Sequence, residues 1–276
     1  MTEETSFTYD HLRRWHEAAG RRISRRSFNG VPAPAAQADA LGELCSALNA
    51  YDDARVVFCP APGVDVFRGV LGSYGKVTDA PHLLLMIATE SSPVSHQHAG
   101  YLGEAAILES TALGLDTCWI GGFFSVEKVG GLVSLGRDER VIAVSPVGTA
   151  TDRRTLTERS FSSMAASHIR KPLEEIAPGA VVWPAWACAA AECVRTAPSA
   201  MNRQPWRLRF EDGSLVVARD NATETPKVTK ALDCGIAMLH AQLGAAVEGA
   251  VGHWADITQG LDVAAFTPRV EGANAR

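Results

Sequence analysis

Apolar residues in the N-terminal half of the chain fall into continuous blocks separated by short polar or Gly/Pro-rich stretches. ARVVFCP, APHLLLMIATE and RVIAVSPVGTA are runs of strand length with few polar interruptions. Leu41, Leu44 and Leu48 recur at helical spacing before them. GYLGEAAILESTALGLDTCW combines small residues with few charges, which predicts a helix buried on most sides. Such a helix is expected to pack closely against another backbone.

Similar elements recur after a polar connection, TLTERSFSSMAASHIRKPLEEIAPG, which has no clear period. WPAWACAAAECVRT predicts a helix, WRLRFEDGSLVVARD predicts a hairpin, and LDCGIAMLHAQLGAAVEGAVGHW predicts a second small-residue helix. In each small-residue helix a Gly stands five residues before a Trp: Gly114 before Trp119, and Gly249 before Trp254. This repeat favours a tandem duplication, although Ala-rich buried helices also resemble each other by chance.

Composition narrows the class of protein. The 276 residues include 26 Lys and Arg against 31 Asp and Glu, so the formal net charge of −5 argues against nucleic acid or an anionic membrane as partner. The N-terminus MTEETSFTYD is acidic, which is unlike a signal peptide, and no apolar run has the length of a membrane span. Six dispersed cysteines without a CxxC pair favour a reducing compartment. We therefore expect a cytoplasmic protein.

Three segments carry candidate chemistry. Arg25, Arg26 and Ser27 offer two guanidinium groups and a hydroxyl near a predicted helix start, a combination suited to phosphate, although a solvated basic face is the ordinary interpretation. RRIS, at residues 21–24, is a rival register of the same pattern. APSAMNRQPW brackets amide side chains between two prolines and suits a polyhydroxyl chain or a heteroaromatic ring edge. WIGGF brings paired glycines, whose N–H groups can approach a ligand, after a buried helix.

In this context APSAMNRQPW, RRSF and GLDTCWIGGF resemble the FMN-dependent nitroreductase family. With SHIRKPLEEI as linker, the chain resembles the single-chain branch that carries two nitroreductase-like halves in one polypeptide. The resemblance implies an α+β fold, a tandem pseudo-dimer with antiparallel or mixed sheets and buried Ala-rich central helices. It places the first half at residues 13–178 and a second, shorter half at residues 179–265.

The resemblance also implies the residues that contact flavin. From the first half, Arg25, Arg26 and Ser27 would meet the phosphate and the flavin edge, and Gly121 and Gly122 would meet the ring.

A basic pair, His168 and Arg170, would add to the phosphate site, although the family more often has Lys or Arg at the first of these positions. The second half would supply a loop that touches the ribityl chain and the isoalloxazine through Pro198, Ser199, Asn202 and Gln204.

The two halves complement each other only once. Where the first half should carry its own Pro-Ser loop it has SALNAYDDARVV, and the second half has no matching Arg-x-Ser. We therefore predict one FMN per chain, in a monomeric pseudo-dimer or a weak homo-oligomer. The predicted activity passes hydride from NAD(P)H through FMN to a small electron acceptor, such as a nitroaromatic or a quinone, by a ping-pong mechanism. The alternatives are a flavin-sequestering protein without turnover and a specialised reductase or dehydrogenase of one metabolite.

Weaker signals favour structural roles. His96 and His98 lack a nearby third metal ligand and are predicted to lie in a loop. Asp233 is interpreted as a helix N-cap, and Cys234 after it as a buried, inert thiol. His240 is interpreted as a satisfied core or interface histidine.

Overall fold

The structure is a computed structural model that describes residues 7–49, 53–67, 77–152, 169–225 and 227–269. These residues form both helices and strands. The helices are α1 Tyr9–Arg21, α2 Ala35–Ala47, α3 Pro93–Ala112, α4 Val126–Gly130, α5 Leu173–Ile176, α6 Ala185–Thr196 and α7 Lys230–Val247, with 3-10 turns at Ala180–Val182 and Ala200–Asn202. The strands are β1 Ala54–Cys59, β2 His82–Thr89, β3 Asp116–Thr117, β4 Glu139–Gly148, β5 Trp206–Glu211, β6 Ser214–Arg219, β7 Gly252–Asp256 and β8 Asp262–Pro268.

The strands form two four-stranded antiparallel sheets of the same topology. The first has the order β1-β2-β4-β3 and the second β5-β6-β8-β7, and each has a long helix, α3 or α7, between its second and third strands. We call β1–β4 with α3 the first repeat and β5–β8 with α7 the second repeat. This arrangement confirms the predicted α+β fold with two similar halves.

Helices α3 and α7 cross at the centre of the molecule with their backbones in contact. A Cβ atom on Gly100 would overlap the carbonyl oxygen of Leu232, and one on Gly235 would overlap that of Gln97. The same number of positions separates Gly100 from Gly235 and Gln97 from Leu232, so the two contacts are reciprocal. The predicted close backbone approach is therefore present, and each small-residue helix packs against the other.

The same spacing also relates the ends of the two helices. Gly114 and Gly249 both follow their helix with a left-handed φ, +82° and +79°. Trp119 directly precedes Ile120, which pairs with Val144 of β4, and Trp254 pairs with Phe266 of β8. One apolar core runs through both repeats and contains residues of both sheets and both central helices. The internal repeat seen in the sequence is thus a repeat in structure.

One boundary differs from the sequence prediction. Helix α3 begins at Pro93, with Ser92 as its N-cap, so His96 and His98 lie in its first turns and not in a loop. The predicted connection between the halves falls partly on residues 153–168, which lie outside the described residues together with His168. Within the described ranges, no helix has the length and apolar character needed to cross a bilayer.

Candidate functional site

The loop at residues 198–204, here called the Pro-Ser loop, has an unusual backbone. Met201, Asn202 and Gln204 have φ values of +51°, +54° and +48°, and they are three of the five non-glycine residues with positive φ in the described chain. A left-handed backbone is unfavourable for residues with a side chain and is frequent where function fixes a loop. The Ser199 hydroxyl accepts a hydrogen bond from the Gln204 N–H at 2.9 Å, which closes the loop on itself.

A buried ion pair holds this loop against helix α7. The Asp233 carboxylate accepts from the Ala200 N–H at 3.0 Å and from Arg203 Nε at 2.6 Å. Arg203 also donates to the carbonyls of Val228 and Thr229 at 3.0 and 2.8 Å. Asp233 is 1% exposed, and its burial raises its pKa to about 6 against the opposing charge of Arg203. The loop is therefore fixed by contacts that its own sequence does not reveal.

The Pro-Ser loop meets the segment that ends the connection between the halves. Arg170 Nη1 donates to Asn202 Oδ1 at 2.7 Å, and Asn202 Nδ2 donates to the Ile169 carbonyl at 2.8 Å. The Lys171 N–H donates to Gln204 Oε1 at 2.8 Å. Three predicted site residues, Arg170, Asn202 and Gln204, are thus in one hydrogen-bonded cluster. His168, which was predicted to form a basic pair with Arg170, is outside the described residues.

The predicted phosphate segment, Arg25 to Ser27, adopts an extended conformation between α1 and α2. The Arg25 N–H donates to the Thr117 carbonyl at 2.9 Å, and the Arg26 carbonyl accepts from the Thr78 N–H at 2.9 Å. All three residues are at most 9% exposed. The prediction that this segment lies near a helix start is wrong, since α1 ends at Arg21 and α2 begins only at Ala35. Any anion here would be met by side chains and not by helix N–H groups.

Gly121 and Gly122 follow β3 at the edge of the first sheet. Gly122 has a φ of +76°, which favours glycine. In the described part of the chain the N–H groups of both glycines donate to no protein acceptor. A Cβ on Gly121 would overlap Val228, and one on Gly122 would lie 2.8 Å from Lys227. The glycine segment therefore contacts the same stretch of chain that Arg203 of the Pro-Ser loop holds.

Positive charge gathers around Arg170. Burial first, followed by repulsion from Arg22 and Arg195, lowers the pKa of the Arg170 guanidinium. Arg22 Nη1 is buried and has no hydrogen-bond partner among the described residues. A buried guanidinium N–H without an acceptor is a good position for an anion, and phosphate is the anion that arginine binds best through its paired donors.

A family model described as "Putative TM nitroreductase" matches residues 15–245. The chain belongs to this nitroreductase family. The match covers the first repeat and reaches into α7 of the second repeat, and it confirms the family resemblance found in the sequence motifs. No curated protein sequence matches the chain.

One solved structure supports the nitroreductase fold, and two others are similar to about half of the chain. A "putative nitroreductase" from Thermotoga maritima is 20% identical, with a TM-score of 0.60 over 97% of this chain and 99% of that chain. A nitroreductase from Bacteroides fragilis with bound FMN is 15% identical, with a TM-score of 0.41 over 51% of this chain and 91% of that chain. An NADPH:FMN oxidoreductase from Vibrio harveyi, complexed with NAD+, is 18% identical, with a TM-score of 0.41 over 51% and 70%. The first of these extends the nitroreductase fold over nearly the full chain.

Sequence reasoning misses three residues of the candidate site. Arg203 lies inside APSAMNRQPW, but the sequence alone assigns it no contact, and the sequence predicts an N-cap role for Asp233. The N-cap of α7 is Thr229, whose hydroxyl accepts from the Leu232 N–H, while Asp233 lies one turn later and pairs with Arg203. Arg22 belonged only to the rival register. An acidic residue in an otherwise apolar helix was the available signal for Asp233, because a buried carboxylate requires a partner.

Proposed function

We propose that this nitroreductase is an FMN-dependent oxidoreductase. Family membership supports the reaction class, and one observation supports the cofactor. The unbonded N–H groups of the glycine segment, the Pro-Ser loop and the cationic cluster at Arg170 belong to one connected set of contacts between the two repeats. FMN needs these three kinds of contact, since it combines an anion, a polyhydroxyl chain and a ring edge.

The residues present fit FMN by the chemistry of their donors. Arg25, Arg26, Ser27 and Arg170 would hold the phosphate, together with Arg22, whose Nη1 has no acceptor in the part of the protein that the structure describes.

The Pro-Ser loop would bind the ribityl chain and the ring edge through Pro198, Ser199, Asn202 and Gln204. The N–H groups of Gly121 and Gly122 would donate to the ring, where preformed donors stabilise negative charge without reorganisation. Bound flavin supplies hydride transfer, and the protein supplies binding, orientation and electrostatics.

The proposed reaction takes hydride from NAD(P)H and passes it to a small acceptor such as a nitroaromatic or a quinone. Both substrates would use the same pocket in turn, which gives ping-pong kinetics. We further propose that residues 13–178 and 179–265 act as the two partners of a pseudo-dimer, with one FMN per chain. The boundary between these two halves lies between α5 and the 3-10 turn at Ala180–Val182.

A second candidate function is flavin sequestration without turnover. Lys227 and Val228 cover Gly121 and Gly122, and Lys227 Nζ lies 4.1 Å from the centre of the Phe123 ring. A covered ring would restrict access for NAD(P)H.

The visible spectrum of the purified chain, reconstituted with FMN and then exposed anaerobically to NADPH or NADH, separates these functions. Binding of one equivalent followed by bleaching supports the oxidoreductase. A bound flavin that neither nucleotide reduces supports sequestration, and no binding of FMN contradicts both.

The phosphate assignment has its own test. Arg170→Ala and Arg25→Ala are expected to weaken FMN binding by about tenfold or more, the loss of a charge-assisted hydrogen bond. Arg209→Ala, which removes a guanidinium from an exposed ion pair on β5, is the matched control. Retention of FMN by both variants as tightly as by the wild type would show that the phosphate binds elsewhere.

A further inference from the structure

A chain of polar side chains crosses the interior where four helices meet. It begins at Trp119, whose Nε1 donates to Glu104 Oε2 of α3 at 2.7 Å. Glu104 Oε1 lies 3.0 Å from His240 Nε2 of α7, and His240 Nδ1 lies 3.9 Å from Cys193 Sγ of α6. The His16 imidazole of α1 also interacts with the Cys193 thiol. The proposed flavin chemistry uses none of the last four residues.

The geometry fixes the orientation of His240. Glu104 is fully buried, and its second oxygen is already occupied by Trp119. A buried carboxylate is stable only beside a compensating donor, so Nε2 must carry a proton toward Glu104, and Nδ1 faces the sulfur. This is the arrangement of a thiol, a base and an orienting carboxylate that activates cysteine nucleophiles.

The charges around Cys193 favour its thiolate. Burial alone would raise the pKa of Cys193, but hydrogen bonds from His16 and His240 bring it down to about 7. Burial alone would lower the pKa of His240, but its hydrogen bonds with Cys193 and Glu104 raise it to about 9. Glu17 of α1 is a further charged group that acts on His16.

Other buried cysteines of the chain behave in the opposite way. Burial raises the pKa of Cys45 to about 12, and burial also raises the pKa of Cys234. Among the described residues, neither thiol has a histidine partner. Cys193 keeps 8% of its surface exposed, and His16, which acts on its sulfur, is half-buried. Position and partners, and not burial, set Cys193 apart.

We propose that Cys193 is a modification site for small electrophiles, activated by His240, Glu104 and His16, and that hydrogen peroxide is its natural class of reagent. The thiolate attacks one peroxide oxygen, a sulfur–oxygen bond forms and the O–O bond breaks. Sulfur is oxidised by two electrons to the sulfenic acid and peroxide is reduced. The leaving hydroxide takes the proton of the His240 or His16 imidazolium and departs as water. This proposal does not depend on flavin binding.

The first test uses the unmodified full chain. Thiolate absorbance is followed against pH, with Cys193→Ser as the reference, and iodoacetamide labelling of each cysteine is mapped by mass spectrometry. We expect an absorbance step near pH 7 that Cys193→Ser lacks, and labelling of Cys193 at least tenfold faster than of Cys234 at neutral pH. A step at the pH of an ordinary thiol, or equal labelling of the two cysteines, overturns the proposal.

The second test separates activation from simple exposure. Glu104→Gln keeps an oxygen for Trp119 but removes the charge that holds the His240 imidazolium. We expect labelling of Cys193 at pH 7, and trapping of its sulfenic acid by dimedone after peroxide, to slow by about fivefold or more. His16→Asn gives a second, independent decrease should Glu104→Gln fail to fold. Unchanged rates in a folded variant contradict the activated thiolate.

Discussion

The glycine segment of the first repeat and residues 256–257 of the second repeat occupy equivalent positions but differ in charge and in the pairing of their backbone N–H groups. Within the described ranges, the N–H groups of Gly121 and Gly122 have no protein acceptor. Their equivalents are Asp256 and Ile257. Asp256 is acidic and pairs with Ala264 of β8, and the Ile257 N–H donates to the Val263 carbonyl at 2.9 Å. The same fold therefore offers backbone N–H donors in the first repeat, whereas the equivalent N–H group of Ile257 in the second repeat is used within the protein.

The helix residues behind these segments show the same divergence. Asp233 of α7 binds the cation Arg203 in the Pro-Ser loop. Its equivalent in α3, His98, lies between two carboxylates, with Nδ1 2.8 Å from Asp53 and Nε2 3.0 Å from Asp256. Both ring nitrogens must donate, so His98 is an imidazolium. A buried negative charge holds the Pro-Ser loop in one repeat, and a buried positive charge joins Asp53 to Asp256 in the other.

This difference accounts for the single site that we propose in a fold with two similar repeats. One group of side chains, here called the acidic counterpart, pairs its polar groups by hydrogen bonds among its own members. It consists of Asp53, Gln97, His98 and Asp256. It presents carboxylates where the candidate site presents arginines. An anionic cofactor would be repelled there, so one FMN per chain follows from the proposed assignment.

The largest effect is expected at the contact that both repeats share equally. Gly100→Ala and Gly235→Ala each drive a Cβ into the backbone of the opposite helix, which cannot yield as a side chain can. We expect each variant to lose about 3 kcal/mol or more of unfolding free energy, or to fail to fold, measured by urea denaturation. Gly20→Ala near the end of α1, where a Cβ meets nothing within 4 Å, is the control and should be neutral or slightly stabilising. Strongly unequal losses at the two crossing glycines would contradict the reciprocal contact.

Arg203→Ala should break the candidate site and leave the acidic counterpart intact. It removes the partner of a carboxylate that is 1% exposed, and an uncompensated buried charge costs about 3–5 kcal/mol. Protonation of Asp233 will reduce the loss, since burial already raises its pKa to about 6. FMN binding should fall with stability, because the Val228 and Thr229 carbonyls lose the guanidinium that holds them. Asp233→Asn with Arg203→Met, which removes both charges, should recover much of the stability, and a double variant no more stable than Arg203→Ala would show that the ion pair is not the cause.

The sequence predicts features that depend on neighbouring residues better than contacts between residues far apart in the chain. The motifs, both buried helices and the internal repeat could be recognised because each is a local pattern. The pairing of Asp233 with Arg203 was not, because it joins a helix to a loop across 30 positions. The helical placement of His96 and His98 was also missed, although Ser92 and Pro93 form an ordinary helix start that the sequence prints.

His98→Gln tests the charge at the centre of the acidic counterpart through the pH dependence of the unfolding free energy. Burial opposes the charge on His98, but its hydrogen bonds to the carboxylates of Asp256 and Asp53 raise its pKa to about 9. A raised histidine pKa gives stability that is fully present below about pH 6.5 and is lost as the pH rises toward 9. The wild type should therefore lose up to about 3 kcal/mol more than His98→Gln across this window. His16, Cys193 and His240 titrate in both proteins and cancel in the comparison, so equal pH profiles would mean that His98 is not charged.

The smallest effects should be equal in the two repeats. Gly114→Ala and Gly249→Ala replace the glycines that end α3 and α7, at φ values of +82° and +79°, where a Cβ meets nothing within 4 Å. Only the backbone strain remains, so each should cost about 1 kcal/mol in urea denaturation. FMN affinity should stay unchanged in both variants, because neither glycine contacts the Pro-Ser loop or the glycine segment. A loss of FMN binding in Gly114→Ala alone would mean that the two repeats differ already at the helix ends, and that the divergence extends beyond the residues that bind or lock.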